Sequence, residues 1–245
     1  QQTAWSANIK ERLDFSCAIF DAGGHLVANA PHVPVHLGSM GESVKTVIRE
    51  NRERMNPGDV YMLNAPYNGG THLPDVTVIT PVFDQTETEV LFYLGARGHH
   101  ADIGGRTPGS SPPDSTRIEE EGVLIDNFLL VEQGVLRESE TRELLASGTY
   151  PCRNIDQNMA DLAAQIAANE TGQQELLKMI DHFGLDVVQA YMGHVQDNAE
   201  ESVRRVIDRL TDGEFAYPMD GNRHIRVKIT VDHANREARL DFSGT

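Results

Sequence analysis

The spacing of apolar residues changes along this chain, and that change sets what it can fold into. In the first part they fall in short runs parted by Gly, Pro and Asn turns: Phe15 to Phe20, Val60 to Leu63, Val76 to Val82 and Val90 to Ala96. Further on they recur at intervals of three and four, in Met159, Leu162, Ala163 and Ile166. The same spacing returns in Val188, Tyr191, Met192, Val195, Ala199, Val203, Val206 and Leu210, residues expected to pack a core. The end alternates, Ile225, Val227, Ile229 and Val231 being followed by Ala238, Leu240 and Phe242. A period of two marks half-buried strands and one of 3.6 amphipathic helices. The pattern predicts an α+β fold: mixed strands and hairpins in the N-terminal half, then a helical hairpin, a long helix and a C-terminal β-hairpin. Residues 1–150 are expected to form the catalytic region and 151–245 the helical segment with its terminal hairpin, as two domains or one continuous one. The chain starts without Met and stops just after an alternating strand, as expected of a fragment of a larger subunit.

Turn and cap signals divide these elements. Asp21-Ala22-Gly23-Gly24 predicts a hairpin turn. Ser39-Met40-Gly41-Glu42 reads as a capping box, giving a helix over about 39–54 that stops at Asn56-Pro57-Gly58. Phe128 to Val131 and Val135-Leu136 predict a short hairpin, and Ser139 to Ala146 a short helix. Thr171-Gly172-Gln173-Gln174 reads as the cap of the hairpin's second helix, which Gly184 ends. The stretch from Arg106 to Glu121, rich in Pro, Gly, Ser and acids, is expected to be a lid over the histidines just before it.

Composition narrows the function. With 245 residues, 39% of them hydrophobic, the chain is long enough to bury a core. A formal net charge of -16 and no Lys/Arg cluster disfavour nucleic acid as a partner. No apolar run approaches the ~18 residues of a membrane span. The first eight residues lack the charged start and apolar stretch of a signal peptide, and a cytoplasmic protein is expected. Cys17 and Cys152 stand far apart with no CxxC partner, which predicts reduced structural thiols and no thiolate metal site.

Two motifs carry chemistry: Gly69-Gly70-Thr71-His72-Leu73-Pro74-Asp75 and Arg97-Gly98-His99-His100-Ala101-Asp102-Ile103-Gly104-Gly105. Each sets imidazole and carboxylate among glycines, at a strand end. A tight bend at Pro74 would turn His72 and Asp75 to one point, where a regular strand would separate them. Nitrogen and oxygen ligands of this kind suit zinc, manganese or iron. Strand alternation lets one of the adjacent histidines face that centre. His99 is the preferred ligand, and His100 a substrate-facing group or one behind the ligands. Asp102 would orient an imidazole as an acceptor. Asp14, at the mouth of an apolar strand, is costly to bury without a cation or metal, or else pairs with Lys10 or Arg12. His32 and His36, flanking Pro34, are read as held by backbone contacts and left outside the site.

Four stretches in one order resemble the hydantoinase B/oxoprolinase family. They are Asn8 to Ser16, Val33-Pro34-Val35-His36-Leu37-Gly38-Ser39-Met40, Asn64 to Asp75, and Gly98 to Gly105. Asp161 to Asn169 and Asp241 to Thr245 extend the likeness to the end. The resemblance implies a metal-dependent hydrolase subunit of an ATP-dependent amidohydrolase acting on cyclic amides such as 5-oxoproline, hydantoins or lactams. A hydantoinase A-type subunit or domain would bind ATP in a hetero-oligomer, in keeping with the lack of a phosphate loop in this sequence. By the same resemblance the metal ligands fall on His72, Asp75 and His99, with Asp14 as the fourth, while His100 moves the proton. Acetone carboxylase subunits are divergent relatives, so ketone carboxylation stays an alternative, as does a non-catalytic assembly subunit with a structural metal.

Overall fold

The computed structural model describes residues 2–30 and 32–245. The chain forms two compact units, Gln1–Val188 and Gln189–Thr245.

In the first unit the short apolar runs become strands of one antiparallel sheet: β1 (Phe15–Asp21), β2 (Leu26–Asn29), β3 (Val60–Leu63), β4 (Asp75–Phe83), β5 (Val90–His99), β6 (Phe128–Glu132) and β7 (Val135–Leu136). Their order is β2-β1-β5-β4-β3-β6-β7. The expected hairpins at Asp21 to Gly24 and between β6 and β7 are both present. Helix α1 (Ala7–Lys10) precedes β1, α2 (Pro34–Asn51) and α3 (Glu138–Leu145) follow, and α4 (Ile155–Phe183) is the longest.

Alternation along the central strands builds two cores. Phe20, Tyr61, Leu63, Ile79 and Tyr93 pack with Met40, Val44 and Val47 of α2 on one face. On the other, Val60, Met62, Val76 and Val78 pack with Met159 and Leu162 of α4 and with Ile103, Val123 and Ile125 of the long connection. The sheet thus lies between α2 and α4. That connection, expected as a lid, is itself anchored: Ser110 is buried, accepts from Ile103 N–H and donates to the Gly104 carbonyl.

Both predicted capping boxes turn out to lie inside helices. Helix α2 starts five residues before Ser39, with Pro34 in its first turn, where a missing N–H costs nothing. Ser39 Oγ instead donates back to the Val35 carbonyl at 2.8 Å. Likewise Thr171 Oγ1 donates to the Ala167 carbonyl at 2.9 Å, so the two helices expected over 159–183 are the single helix α4. Apolar side chains are only part of what holds α4 to the sheet. A row of buried amides does the rest: Gln165 Nε2 donates to the Val76 and Ala96 carbonyls at 2.9 and 2.8 Å, and Asn169 Nδ2 to the Val78 carbonyl and Thr80 Oγ1 at 3.2 and 3.1 Å.

In the second unit most of α5 (Leu185–Ile207) accompanies a three-stranded sheet of β8 (Gly213–Met219), β9 (Arg223–Asp232) and β10 (Glu237–Asp241), ordered β10-β9-β8. The predicted terminal hairpin is β9 with β10. Strand β8 has no counterpart in the sequence reading, because Pro218 and the mixed run before it mask the alternation. Arg236 closes the hairpin turn and pairs with Glu201 of α5 at 3.0 Å and with Asp208 at 3.2 Å. The stripe on α5 assigned to core packing is largely exposed: Tyr191 is 68% and Val203 59% accessible, and Val188 alone among the described residues of the helix is buried. No helix among the described residues is long and apolar enough to cross a membrane.

Replacing Gln165 by leucine keeps the volume but removes both donations and the acceptor it offers. A loss of about 1–3 kcal/mol in unfolding free energy is expected, read from urea midpoints at unchanged m-value.

Candidate metal centre

The ends of three neighbouring strands meet in one row. Asp75, the first residue of β4, is the register partner of His99, the last of β5. The His99 N–H donates to the Asp14 carbonyl at 3.0 Å, which brings Asp14 in beside β1. Leu13 takes φ 59°, a left-handed conformation unfavourable for a leucine, as the chain turns from α1 into β1. The side chains follow the row: His99 Nδ1 lies 3.4 Å from Asp75 Oδ1 and 3.6 Å from Asp14 Oδ2.

His72 arrives from the loop before β4, and its glycines are what let that loop lie so close. A Cβ on Gly70 would stand 2.3 Å from the Asn64 carbonyl oxygen, and one on Gly69, at φ +86°, 2.7 Å from Thr46 Oγ1 of α2. Buried Asn64 ties the base of the loop to the 123–125 segment, donating to the Leu73 and Val123 carbonyls at 2.8 and 3.0 Å and accepting from Ile125 N–H at 2.7 Å. The bend at Pro74 turns His72 onto Asp75, Nδ1 to Oδ2 at 3.0 Å, and Thr71 Oγ1 donates to the same oxygen at 3.1 Å. The His72 and His99 rings lie 5.1 Å apart.

A third histidine enters from α2. His36 is buried, with Nε2 3.3 Å from Asp75 Oδ2 and 3.6 Å from Asp14 Oδ1. Its other nitrogen meets Ser16 Oγ at 3.2 Å. The sequence suggests a His36 held by backbone contacts outside the site, with the helix beginning only at Ser39. A start at Pro34 puts His36 in the first turn, where its side chain reaches β1 and β4. His32 stays outside, accepting from Cys17 N–H at 3.0 Å.

Arg97, two residues before His99 and on the same face of β5, is fully buried beneath this group. It donates to Thr77 Oγ1 at 2.7 Å, to Ser43 Oγ at 2.8 Å, to Ser39 Oγ and to the His36 carbonyl at 3.4 Å. Burial pushes its guanidinium down to about 10, against the pull of the Asp75 carboxylate. Burial also works against ionised Asp75, but the imidazoles of His36, His72 and His99 around it outweigh that and hold the carboxyl far below the usual range. The signal for Arg97 was the period-two spacing to His99.

His100, expected to move the proton, and Asp102, expected to orient an imidazole, stand elsewhere. His100 follows β5 on the α4 side, only 1% exposed, with Nε2 3.1 Å from Gln165 Oε1 and Nδ1 3.0 Å from Asn158 Nδ2. An amide oxygen on one nitrogen and an amide N–H on the other leave it no free position for a substrate. Asp102 is an anchor for backbone: it accepts from the Gly104, Gly109 and Arg153 N–H groups and pairs with the Arg153 guanidinium at 2.8 Å. Arg153 in turn donates to the Gly104 and Gly105 carbonyls at 3.3 and 2.6 Å. In this structure His100 and Asp102 are thus both engaged by contacts within the chain.

The structure brings together Asp14, His72, Asp75 and His99. Donor atoms of His72, Asp75 and His99 lie within 4.8 Å of one another, near enough to share one cation. Asp75 Oδ1 is buried and has no hydrogen-bond partner among the described residues, an arrangement that is costly unless a positive centre faces it. Imidazoles and carboxylates with a half-exposed His72 at the rim fit a divalent transition metal with one side open.

The profile of the hydantoinase B/oxoprolinase family matches residues 1–245. The chain belongs to this family. 5-Oxoprolinase 1 of Arabidopsis thaliana is 47% identical over 270 residues, covering 100% of this chain and 21% of the plant protein. One component of a putative D-/L-hydantoinase of Pseudomonas sp. (strain NS671) is 29% identical, over 99% of this chain and 42% of its own length. Among solved structures, the ATP-dependent caprolactamase from Pseudomonas jessenii matches 93% of this chain and 39% of its own, with TM-score 0.81 and 28% identity. Acetone carboxylase shares the fold, with TM-score 0.85 over 99% of this chain and 34% of its own at 19% identity. This hydantoinase B-family chain spans about a fifth of the length of the 5-oxoprolinases it matches.

Burial holds the pKa of His100 below its ordinary value, with the Gln165 hydrogen bond pulling the other way. The folded state then favours the neutral ring, and its contribution to stability is present above about pH 6.5 and lost as pH falls through the folded value. His100→Ala is expected to cost about 2–4 kcal/mol, since it strands two buried amides. Urea unfolding from pH 7.5 to 5 should show a shallower acid decline in the variant than in wild type.

Proposed function

We propose that this chain is the metal-binding part of an ATP-dependent hydrolase that opens cyclic amides such as 5-oxoproline, hydantoins or lactams. One observation carries the reading. His72 and Asp75 of the His-x-x-Asp motif and His99 of the His-His motif lie with Asp14 around a point where, among the described residues, Asp75 Oδ1 has no hydrogen-bond partner. Asp14, His72, Asp75 and His99 would hold zinc, manganese or iron. When bound, such an ion supplies Lewis acidity toward a carbonyl oxygen and toward water.

The chain's own residues divide the remaining work. Asp75 is 3% exposed and tied to the sheet, so it fixes position. His72, with 47% of its side chain accessible, forms the rim on which a substrate arrives. Asp14, about one-third accessible, lies at the same opening and is the group placed to take a proton from an approaching nucleophile when it is not fully engaged as a ligand. Arg97, the hydroxyls around it and His36 keep the floor of the site closed to water.

ATP would be bound by a hydantoinase A-type subunit or domain, in a cytoplasmic hetero-oligomer. The relative named as one subunit of a hydantoinase supports a multi-component enzyme, and the relatives named 5-oxoprolinase and caprolactamase support the substrate class.

The test uses the full-length protein with its ATP-binding component. Wild type is expected to contain about one equivalent of a transition metal by elemental analysis and to open 5-oxoproline or another cyclic amide only with ATP. His72→Ala and Asp75→Asn should lose most of the metal and at least 10²-fold in turnover. Stoichiometric metal retained in both variants would remove this cluster from the metal reading. Turnover of none of a panel of lactams, hydantoins and 5-oxoproline would overturn the substrate class.

A further inference from the structure

His36 makes contacts of a different kind from the other histidines of the cluster. It is 2% exposed, stands in the first turn of α2, and reaches two carboxylates and one hydroxyl. Nε2 faces Asp75 Oδ2 at 3.3 Å and Asp14 Oδ1 at 3.6 Å, while Nδ1 faces Ser16 Oγ at 3.2 Å. Asp75 is asymmetric as a result. Its Oδ2 meets His36, His72 and Thr71, whereas its buried Oδ1 has no hydrogen-bond partner among the described residues and lies 3.4 Å from His99 Nδ1. A carboxylate whose one oxygen is engaged by donors behind it presents the other forward, and that is how groups behind metal ligands fix them.

The main chain of His36 is held as firmly. Its carbonyl accepts from Ser39 Oγ at 3.2 Å and from Arg97 Nη1 at 3.4 Å. The ring is thus fixed through its backbone and through Ser16, which is itself fully buried on β1. Carboxylates only accept, so the neutral tautomer that suits them carries its hydrogen on Nε2, and Nδ1 is then the acceptor for Ser16 Oγ.

We propose that His36 is a positioning residue for the metal centre. Its Nε2–H holds Asp75 Oδ2 and, more loosely, Asp14 Oδ1, turning Asp75 Oδ1 and Asp14 Oδ2 toward the ion, and Ser16 selects the tautomer that makes this possible. The proposal rests on the metal reading of the cluster and adds a residue behind its ligands.

The experiment compares full-length wild type, His36→Ala, His36→Gln and Ser16→Ala by zinc affinity against a chromophoric chelator and by melting of the zinc-free proteins. Glutamine can place an amide N–H near the position of Nε2, so it separates a lost donor from a lost ring. Expected are a 10- to 100-fold weaker affinity in His36→Ala, recovery to within about fivefold of wild type in His36→Gln, and an intermediate loss in Ser16→Ala. A merely structural role would lower the melting temperature of the zinc-free protein without this order of affinities. Affinity of His36→Ala within twofold of wild type, or a glutamine variant no better than alanine, overturns the proposal while leaving the metal reading intact. Wild type that takes up no zinc, manganese or iron overturns both. Should His36→Ala fail to fold, nitrogen-15 shifts of the wild-type imidazoles decide. A proton on His36 Nε2 that persists on zinc loading supports positioning, and a zinc-shifted Nε2, or a proton on Nδ1 alone, overturns it.

Discussion

An ionised carboxylate inside a sheet survives only where donors reach it from several sides, and Asp75 shows how much of a fold that condition can organise. Three imidazoles approach it, and each comes from a different element: His36 from the start of α2, His72 from the loop before β4, His99 from the end of β5. Each element must then meet a demand of its own. The loop needs two glycines to lie against α2 and the Asn64 backbone, the helix must begin at Pro34, and β5 must pair with β4 so that its last residue faces the first of its neighbour. The energetic reason is desolvation, which costs several kcal/mol for an unpartnered buried ion and makes every missing donor expensive.

Arg97 is the positive counterpart below this group. It makes no direct ion pair with Asp75 among the described residues, and its hydrogen bonds run to Thr77 of β4, to Ser39 and Ser43 of α2 and to the His36 carbonyl. Ser43 Oγ in turn donates to the Gly69 carbonyl. One guanidinium therefore links helix, sheet and the loop carrying His72, so the geometry of the candidate metal ligands is set partly by a residue that touches none of them. Its five donors in a rigid plane suit this task, which the single ammonium of a lysine would not fulfil.

Much of this was legible in the sequence, for local reasons. Strands β1, β3, β4 and β5 show as short apolar runs because both faces of the sheet are covered. The grouping of His72 with Asp75 follows from a bend at Pro74, and the different surroundings of His99 and His100 from strand alternation. What was not legible depends on contacts distant along the chain. Ser39 and Thr171 carry cap-like neighbours, yet both hydroxyls turn back onto the carbonyl four residues earlier, and only the packing of α2 and α4 decides between the two uses. The sheet-facing side of α4 includes Asn158, Gln165 and Asn169 beside Met159 and Leu162, so a search for apolar periodicity finds only part of its contact face. His100 reads as a reactive histidine until Gln165 and Asn158 are seen to claim both of its nitrogens.

The tandem histidines carry a hazard that the neighbouring residues remove. If β5 slid by one position against β4, His100 would replace His99 opposite Asp75, and judged by imidazoles alone the misaligned sheet would look sound. The preceding residues forbid it. A Cβ at Gly95 would stand 2.9 Å from Met40 Cε and one at Gly98, on the opposite face, 2.8 Å from Ile9 Cδ1, so either neighbour would have to shift, and Arg97 has its partners only where Thr77 and Ser43 stand. Sliding would press Leu94 or Ala96 into the space beneath Met40 and drive a guanidinium among the side chains under α4. The strand is thus keyed like a lock, and its phase is read from two absent side chains and one charged one before either histidine is consulted.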